Sequence, residues 1–315
     1  MLTSTTEWRL PEGGPVAVLG GGLMGHALAA IFIAHGCDVT CVESDPTNRE
    51  SLAERVDVVV EQLSLPSRGV LRSVTTVGEL DASTRLVIDA VSERLDLKQR
   101  LFADVETVCP DAALATNTSV FRVGDVASLV LDRSRVIGTH WWNPPHLVPL
   151  VEVIQGTDTN PFLVAGMMAL LVSLGKTPVH VRRDTPGFIG NRLQHALWRE
   201  AMALVDEGVC DPADVDLVVR NSIGLKLSTI GPMENADYVG LDLTHAIHEY
   251  VFPALSTAQA PLPVLETALR HGRLGAKSGQ GFLEWPEGAR AATARRLDER
   301  VRLLTSLGSA DSTAP

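Results

Sequence analysis

Cysteine is scarce in this sequence of 315 residues. The four cysteines, Cys37, Cys41, Cys109 and Cys210, form no CxxC motif, so we predict buried, reduced thiols in a cytoplasmic protein and no metal site. No apolar run approaches the roughly 18 residues that a membrane span requires. Residues 1–14 read as a polar leader without the apolar core of a signal peptide. The sequence therefore gives no indication of a membrane partner.

Positive charge is also in deficit. The formal net charge is -11, which disfavours nucleic acid or an anionic membrane surface as the main partner. Hydrophobic residues make up 45% of the chain and charged residues 21%, which is typical of a globular protein with a sizeable core. The length predicts about two domains.

Apolar strand patterns alternate with helical patterns through the first half of the sequence. The predicted strands are VAVL, DVTCVE, LVIDAV, ALATN, VIGTHW, LVEVI and PVHVR. This alternation predicts an α/β, Rossmann-type, doubly wound parallel sheet. After Pro186 the periodic segments are helical, and one helix follows Asp211 as its N-cap. We therefore predict a leader (1–14), a sheet domain (15–184), a smaller all-helical domain (185–290), and a C-terminal helix and tail (291–315).

A glycine-rich turn joins the first strand to the first helix. The segment GGGLMG supplies Gly20, Gly22, Leu23, Met24 and Gly25, which fit the G-x-G-x-x-G fingerprint. The pattern is weak alone, but here it follows a strand directly and opens a helix, as dinucleotide binding requires. The helix N-terminus then presents free N–H groups to a pyrophosphate. Glu43 ends the second strand, where a carboxylate accepts the ribose hydroxyls of NAD and repels a 2′-phosphate, so we predict NAD as the cofactor.

The stretch GTHWWNPPHLVPLVEV places two titratable residues among apolar neighbours. His140 lies near the end of one predicted strand and Glu152 lies on the next. A lone histidine is more often a core residue than a catalyst. A buried glutamate, however, needs a partner, and an imidazole–carboxylate pair also makes a general base. Beside NAD, such a base suits the oxidation of an alcohol.

Six motifs occur together, in order, over residues 15–285: GGGLMG, NTS, GTHWWNP, LVEVI, DTPGFIGNRL and GAKSGQGF. This set resembles the 3-hydroxyacyl-CoA dehydrogenase family. The resemblance implies that His140 is the catalytic base, Glu152 its partner, Ser119 a donor to the substrate oxygen, and Asn191 a residue that holds the catalytic group. It also implies a homodimer formed through the helical domain. The further cofactor contacts that it implies are Glu93, Lys98, Asn117, Asn143 and Lys277.

Several of these residues have other interpretations when taken alone. Ser119 alone reads equally well as a helix N-cap, and Asn191 as the start of a helix. Lys98 and Lys277 alone read as surface lysines.

The sequence departs from the CoA-using members of the family in three places. The segment from Glu43 to Leu86 is short and contains no lysine, although it has five arginines, including Arg68. Two tryptophans, Trp141 and Trp142, stand where phenylalanines are usual. Residues 222–242 lack a turn of the CoA enzymes. In these places the chain is similar to non-CoA members, such as gulonate 3-dehydrogenase and a pyridine-carboxylate dehydrogenase.

These departures favour a small free 3-hydroxy acid, or a related polar alcohol, over an acyl-CoA or carrier-bound thioester. A non-catalytic, crystallin-like or NAD-sensing protein is the alternative from another class. Roles around the histidine stay open: a tryptophan either stacks on a flat substrate or packs behind the base. His146 either holds a substrate carboxylate or is a solvated loop residue.

Overall fold

The computed structural model describes residues 8–65 and 69–308. The chain divides into two compact units, of which the first ends at Arg192 and the second begins at Leu193. Residues 1–7 of the predicted leader, Arg68, and residues 309–315 of the predicted tail lie outside the described residues.

One eight-stranded sheet organises the first unit. Its strands are β1 Val16–Leu19, β2 Val39–Val42, β3 Leu71–Val74, β4 Leu86–Asp89, β5 Ala113–Thr116, β6 Val136–Trp141, β7 Leu150–Ile154 and β8 Thr177–Val181. The strand order is β3-β2-β1-β4-β5-β6-β7-β8. The polar edge strand β3 is absent from the predicted strands, because Arg72 and Ser73 break its apolar pattern.

The predicted doubly wound parallel sheet is confirmed, and one pair of its strands is antiparallel. Strands β6 and β7 pair antiparallel, whereas all other neighbours pair in parallel. A parallel connection needs a crossover of about a dozen residues or more, and the loop of residues 142–149 is too short for one.

Helices cover both faces of this sheet. They are α1 Gly25–Ala34, α2 Pro46–Glu50, α3 Leu52–Leu63, α4 Leu95–Val108, α5 Val123–Val126 and α6 Pro161–Ser173, with 3-10 turns at Val77–Glu79, Ala127–Leu129 and Arg133–Arg135. Side chains of α1, α3 and α6 share one core with Val16 and Val18, whereas α4 and α5 share the other with Ala17 and Leu19. The strands are apolar on both sides because both sides are covered.

The helices predicted for the second unit are present in its described residues, where a segment with isolated β-bridges between Gly275 and Gln280 and between Gln280 and Glu284 precedes the last helix. Helix α7 Gly190–Asp206 begins in the first unit, and α8 Pro212–Asn221, α9 Ile223–Leu227, α10 Pro232–Val239, α11 Leu241–Val251, α12 Pro263–Arg270 and α13 Ala289–Gly308 follow, with a 3-10 turn at Phe252–Ala254. The predicted N-cap at Asp211 is confirmed, since it forms a capping box with Asp214. Among the described helices, none is long and apolar enough to cross a membrane.

The order in which the chain adds strands to the sheet reverses between β1 and β4. The chain runs outward from β1 through β2 to β3, then returns to β4 and continues to the other edge. A crevice opens at the carboxyl ends of the strands at such a point, and ligands of open α/β sheets bind there. The glycine-rich turn follows β1 directly and therefore lies at this crevice.

Two glycines of the turn allow a test of this packing. A Cβ on Gly25 would lie 1.7 Å from the carbonyl oxygen of Gly20, whereas a Cβ on Gly22 would meet no atom within 4 Å. We expect Gly25→Ala to lower the free energy of unfolding by about 3 kcal/mol, because backbone cannot yield to the new methyl group. Gly22→Ala is the matched control and should unfold like the wild type in urea. Equal stability of the two variants would contradict the close approach of α1 to β1.

Candidate active site

A cleft of about 990 Å³ lies at the carboxyl ends of β1, β2 and β4. Five of the predicted cofactor residues line it: Gly20, Gly22, Leu23, Met24 and Glu43. Gly20 has a φ of 90°, a left-handed conformation that favours glycine. The open space beside Gly22 leaves the backbone accessible to a ligand. This cradle at the start of α1 fits the pyrophosphate of a dinucleotide.

The Glu43 carboxylate is held by the backbone on both sides. One oxygen accepts a hydrogen bond from the Gly21 N–H at 2.8 Å, and the other accepts one from the Asp45 N–H at 2.8 Å. Glu43 thereby ties the end of β2 to the glycine-rich turn. An ionised carboxylate has about four acceptor positions, so two of them are left for ribose hydroxyls.

His140 and Glu152 meet across the antiparallel pair of strands. They are directly opposite in the β6–β7 register, and His140 Nδ1 lies 2.7 Å from Glu152 Oε2. Both residues are buried, with exposures of 4% and 1%. The other ring nitrogen, Nε2, makes no hydrogen bond with a described residue. The antiparallel pairing of β6 with β7 across the loop of residues 142–149 brings the two side chains together.

The second Glu152 oxygen has two more partners. Oε1 accepts hydrogen bonds from the N–H groups of Ile189, at 2.8 Å, and Gly190, at 3.0 Å. Burial alone would raise the pKa of Glu152, but the hydrogen bonds from His140, Gly190 and Ile189 outweigh burial and lower it. An ionised carboxylate only accepts hydrogen bonds, so Nδ1 carries the imidazole proton. Nε2 is then the basic nitrogen.

Aromatic rings surround the imidazole. The His140 ring lies 5.2 Å from the Trp142 ring and 5.7 Å from the Phe188 ring. Trp142 also packs against the backbone of Gly190, where an added Cβ would lie 2.3 Å from its ring. Trp141 is buried in the core. The packed-aromatic interpretation is therefore the one that these contacts support.

Asn191 forms a hydrogen bond with the backbone of Ser119. Its Nδ2 donates to the Ser119 carbonyl oxygen at 2.7 Å, while the Ser119 hydroxyl has no hydrogen bond to a described residue. The N-cap interpretation of Ser119 was wrong, because α5 begins only at Val123 and the Thr118 hydroxyl accepts from the nearby Phe121 N–H instead. Asn191 does lie at the start of a helix.

Lys98 is buried, contrary to its interpretation as a surface lysine. Its exposure is 1%, and its Nζ lies 2.6 Å from Asp89 Oδ1 and 3.3 Å from Glu93 Oε2. Glu93 in turn accepts hydrogen bonds from the Thr118 hydroxyl and, at 3.0 Å, from the Ser119 N–H. Lys98 therefore supports the Ser119 loop through Glu93.

Asp89 was missed by the sequence analysis. It is fully buried at the end of β4 and accepts hydrogen bonds from Lys98 and from the Thr116 hydroxyl. An acidic residue that ends the apolar run LVID was the available signal, since a buried carboxylate requires a cation or donors.

The other predicted cofactor residues have different surroundings. Asn117 is buried, and its Oδ1 accepts from the Trp141 N–H at 2.9 Å. Asn143 is exposed, and so is Lys277, which belongs to the second unit. Their roles stay predictions. His146 is half-buried, which differs from a fully solvated loop residue.

Fold and site together define a class of protein. A Rossmann-type sheet carries a dinucleotide cradle at its topological switch point, and a buried histidine–carboxylate pair lies at the same edge of the sheet. This combination is that of a nicotinamide-dependent dehydrogenase.

Comparison with known proteins gives the family. The NAD-binding domain of 3-hydroxyacyl-CoA dehydrogenase matches residues 15–185, and the C-terminal domain of that family matches residues 187–285. The chain belongs to the 3-hydroxyacyl-CoA dehydrogenase family and is an NAD-dependent dehydrogenase acting on CH–OH groups.

Relatives include enzymes with and without CoA in their names. The chain is 34% identical to 5-formyl-3-hydroxy-2-methylpyridine 4-carboxylate 5-dehydrogenase of Mesorhizobium japonicum, over 91% of this chain and 96% of that protein. It is 35% identical to 3-hydroxyadipyl-CoA dehydrogenase of Escherichia coli, over 86% of this chain and 58% of that protein. A crystal structure of the pyridine-carboxylate enzyme, described as an NAD⁺-dependent dismutase, matches with a TM-score of 0.86 and 32% identity, over 96% of this chain and 99% of that one.

The lowered pKa of Glu152 predicts a pH-dependent contribution to stability. Its ordinary value is 4.5, so the stabilisation is present above that pH and is lost as the pH falls through the lower folded-state pKa. We expect Glu152→Gln to lower the free energy of unfolding by about 3 kcal/mol at neutral pH, since it removes one partner of a buried pair. The difference from wild type should shrink in strong acid. Glu61→Gln, at an exposed position of α3, is the control for denaturant titrations. A difference in the free energy of unfolding between wild type and Glu152→Gln that does not vary with pH would contradict the pairing of Glu152 with His140.

Proposed function

We propose that this dehydrogenase reversibly oxidises the hydroxyl of a small free 3-hydroxy acid, or of a related polar alcohol, to a carbonyl. His140 is the general base. The observation that carries the proposal is the 2.7 Å contact between His140 Nδ1 and Glu152 Oε2, at the edge of the sheet that also carries the dinucleotide cradle.

The mechanism follows from this contact. Nε2 of His140 takes the proton of the substrate hydroxyl, and Glu152 stabilises the imidazolium that forms. NAD held at the glycine-rich turn and Glu43 would supply the acceptor for the hydride that leaves the same carbon. The Ser119 hydroxyl donates to the substrate oxygen, and Asn191 acts by holding the Ser119 carbonyl at 2.7 Å. A base so positioned contributes about 10²–10⁴-fold to the rate.

The cofactor roles follow the same argument. Gly20, Gly22, Leu23, Met24 and Gly25 bind the pyrophosphate region, and Glu43 accepts the ribose hydroxyls. Among the remaining residues, Lys98 is almost completely buried, so it acts through its contacts with Asp89 and Glu93. Asn117, Asn143 and Lys277 remain proposed contacts on the strength of the family resemblance.

The region between β2 and β3 supports a substrate without CoA. Its described residues form only the short helices α2 and α3, and no lysine follows Glu43 before Leu86 in the sequence. The similarity to a pyridine-carboxylate dehydrogenase over nearly the whole of both chains points the same way. A hydrated aldehyde carries the same H–C–O–H unit as an alcohol, so the same base would serve an aldehyde substrate.

Two other functions remain as alternatives. An L-3-hydroxyacyl-CoA or carrier-bound thioester is the second candidate, and the similarity to 3-hydroxyadipyl-CoA dehydrogenase favours it. A non-catalytic NAD-binding protein is the third. The buried pair argues against that third function, because a protein without catalysis has no physical need for a buried ionised carboxylate.

Two features bear on the surroundings of the enzyme. The four cysteines are unpaired, which supports a reducing compartment such as the cytoplasm. The second unit exposes many large apolar side chains on its helices, which supports a homodimer formed through this unit. Examples are Leu217, Leu225, Tyr238, Leu241 and Tyr250.

Substrate turnover tests the proposed function. We expect purified protein to reduce NAD with free 3-hydroxybutyrate, gulonate or pyridine-carboxylate alcohols and aldehydes, measured at 340 nm. His140→Ala should lower kcat by about 10²–10⁴-fold while the Kd for NAD is unchanged. Rapid oxidation of NADH by acetoacetyl-CoA would instead favour the thioester. An active His140→Ala variant would refute the base assignment.

Light scattering after size-exclusion chromatography tests the homodimer. We expect a mass twice that of the 33.8 kDa chain, with no dissociation at micromolar concentration. A mass of one chain across that range would contradict the proposal.

A further inference from the structure

Lys176 has an unusual set of partners. It precedes β8, and its Nζ donates to the carbonyl oxygens of Pro145, at 2.5 Å, and Val148, at 3.2 Å. The same ammonium lies 5.8 Å from the centre of the Trp141 ring, within the range of a cation–π contact. No ion pair joins Lys176 to an acidic side chain among the described residues. Two backbone carbonyls and the face of one aromatic ring therefore compensate the positive charge of the buried ammonium.

The loop of residues 142–149 explains why a lysine is useful there. Three of its residues, Pro144, Pro145 and Pro149, have no N–H to donate. The N–H groups of Leu147 and Val148 both bond to the Pro144 carbonyl. The carbonyls of Pro145 and Val148 therefore lack donors within the loop, and buried carbonyls need partners. Lys176 supplies both hydrogen bonds from outside the loop.

The loop is continuous with the candidate active site. It begins at Trp142, whose ring lies against that of His140. Asn143, a proposed cofactor contact, comes next. On the other side, Trp141 is held by Asn117 through its N–H. Lys176 contacts both the Trp141 ring and the far part of the loop, so it braces the segment that carries Trp142 and Asn143.

We propose that Lys176 is a positioning residue of the active site, whose ammonium fixes the 142–149 loop and so sets Trp142 beside His140 and orients the adjoining Asn143. Its effect on catalysis rests on the proposed function. Its effect on the loop does not.

The charge of this lysine changes in mildly alkaline solution. Burial lowers the pKa of Lys176 to about 8. The titratable residues on the elements around it are His146 in the loop, Glu152 on β7 and His180 on β8. Glu152 bonds to His140, and His180 to Gln155. Hydrogen bonds from a charged donor are stronger than neutral ones, so the brace weakens as the pH rises through about 8.

The test compares Lys176→Met with Lys226→Met, the same change at an exposed lysine of α9. Hydrogen exchange on the full-length protein reports the loop directly, because the Leu147 and Val148 amides are hydrogen-bonded within it. We expect about tenfold faster exchange at these amides in Lys176→Met, with the strands of the sheet unchanged. Lys226→Met should match the wild type, and Lys176→Arg, which keeps charge and donors, should recover part of the protection.

Steady-state kinetics of the same variants provide a second test of the role of Lys176. With a turned-over substrate, we expect Lys176→Met to lower kcat/KM about tenfold at pH 7, and the deficit to narrow at pH 9.5. Unchanged loop exchange in a folded Lys176→Met variant would overturn the proposal, as would faster exchange spread over the whole first unit. If no substrate is turned over by the wild type, the proposed function fails, and the exchange result still decides the role of Lys176. If Lys176→Met does not fold, Lys176→Gln is measured in the same way.

Discussion

The carboxylate of Glu152 is the group on which the site depends. One of its oxygens accepts a hydrogen bond from the imidazole of His140, and the other accepts hydrogen bonds from the N–H groups of Ile189 and Gly190. One buried acid thus orients the proposed base and anchors the start of α7. Leaving such a charge unpaired would cost several kcal/mol, so its partners cannot be lost singly without consequence. The requirement to compensate this charge links the chemistry of the site to the local fold around it.

Local patterns were sufficient for much of the fold. The apolar strand runs and the helical periodicity predicted the alternating architecture, and the turn after β1 lies where the glycine fingerprint indicated. The N-cap at Asp211 also follows from local residue types alone. The apolar content of β7 did not reveal its direction, for which the short loop of residues 142–149 was the available signal. Edge strand β3 was missed for a different reason. A strand at the edge of a sheet needs fewer apolar residues, so its sequence carries a weaker strand pattern.

The buried pair could be suspected from sequence because a carboxylate in an apolar strand needs a partner. The hydrogen-bonded network of Lys98, Asp89 and Glu93 could not be predicted from sequence. Lys98 reaches Asp89 and Glu93 from the side of a helix, and sequence spacing does not reveal that its ammonium is enclosed. Lys176 likewise reads as an ordinary lysine until its two carbonyl partners in a proline-rich loop are seen. Such contacts arise from the tertiary packing of distant segments, which periodicity does not encode.

A crystal structure with NAD and a substrate or unreactive analogue tests the central claim most directly. The account predicts His140 Nε2 within about 3 Å of the reacting oxygen, with the nicotinamide ring facing the same carbon and Glu152 still bonded to Nδ1. An imidazole turned away from that oxygen, or a nicotinamide on the opposite side of packed side chains, would contradict it.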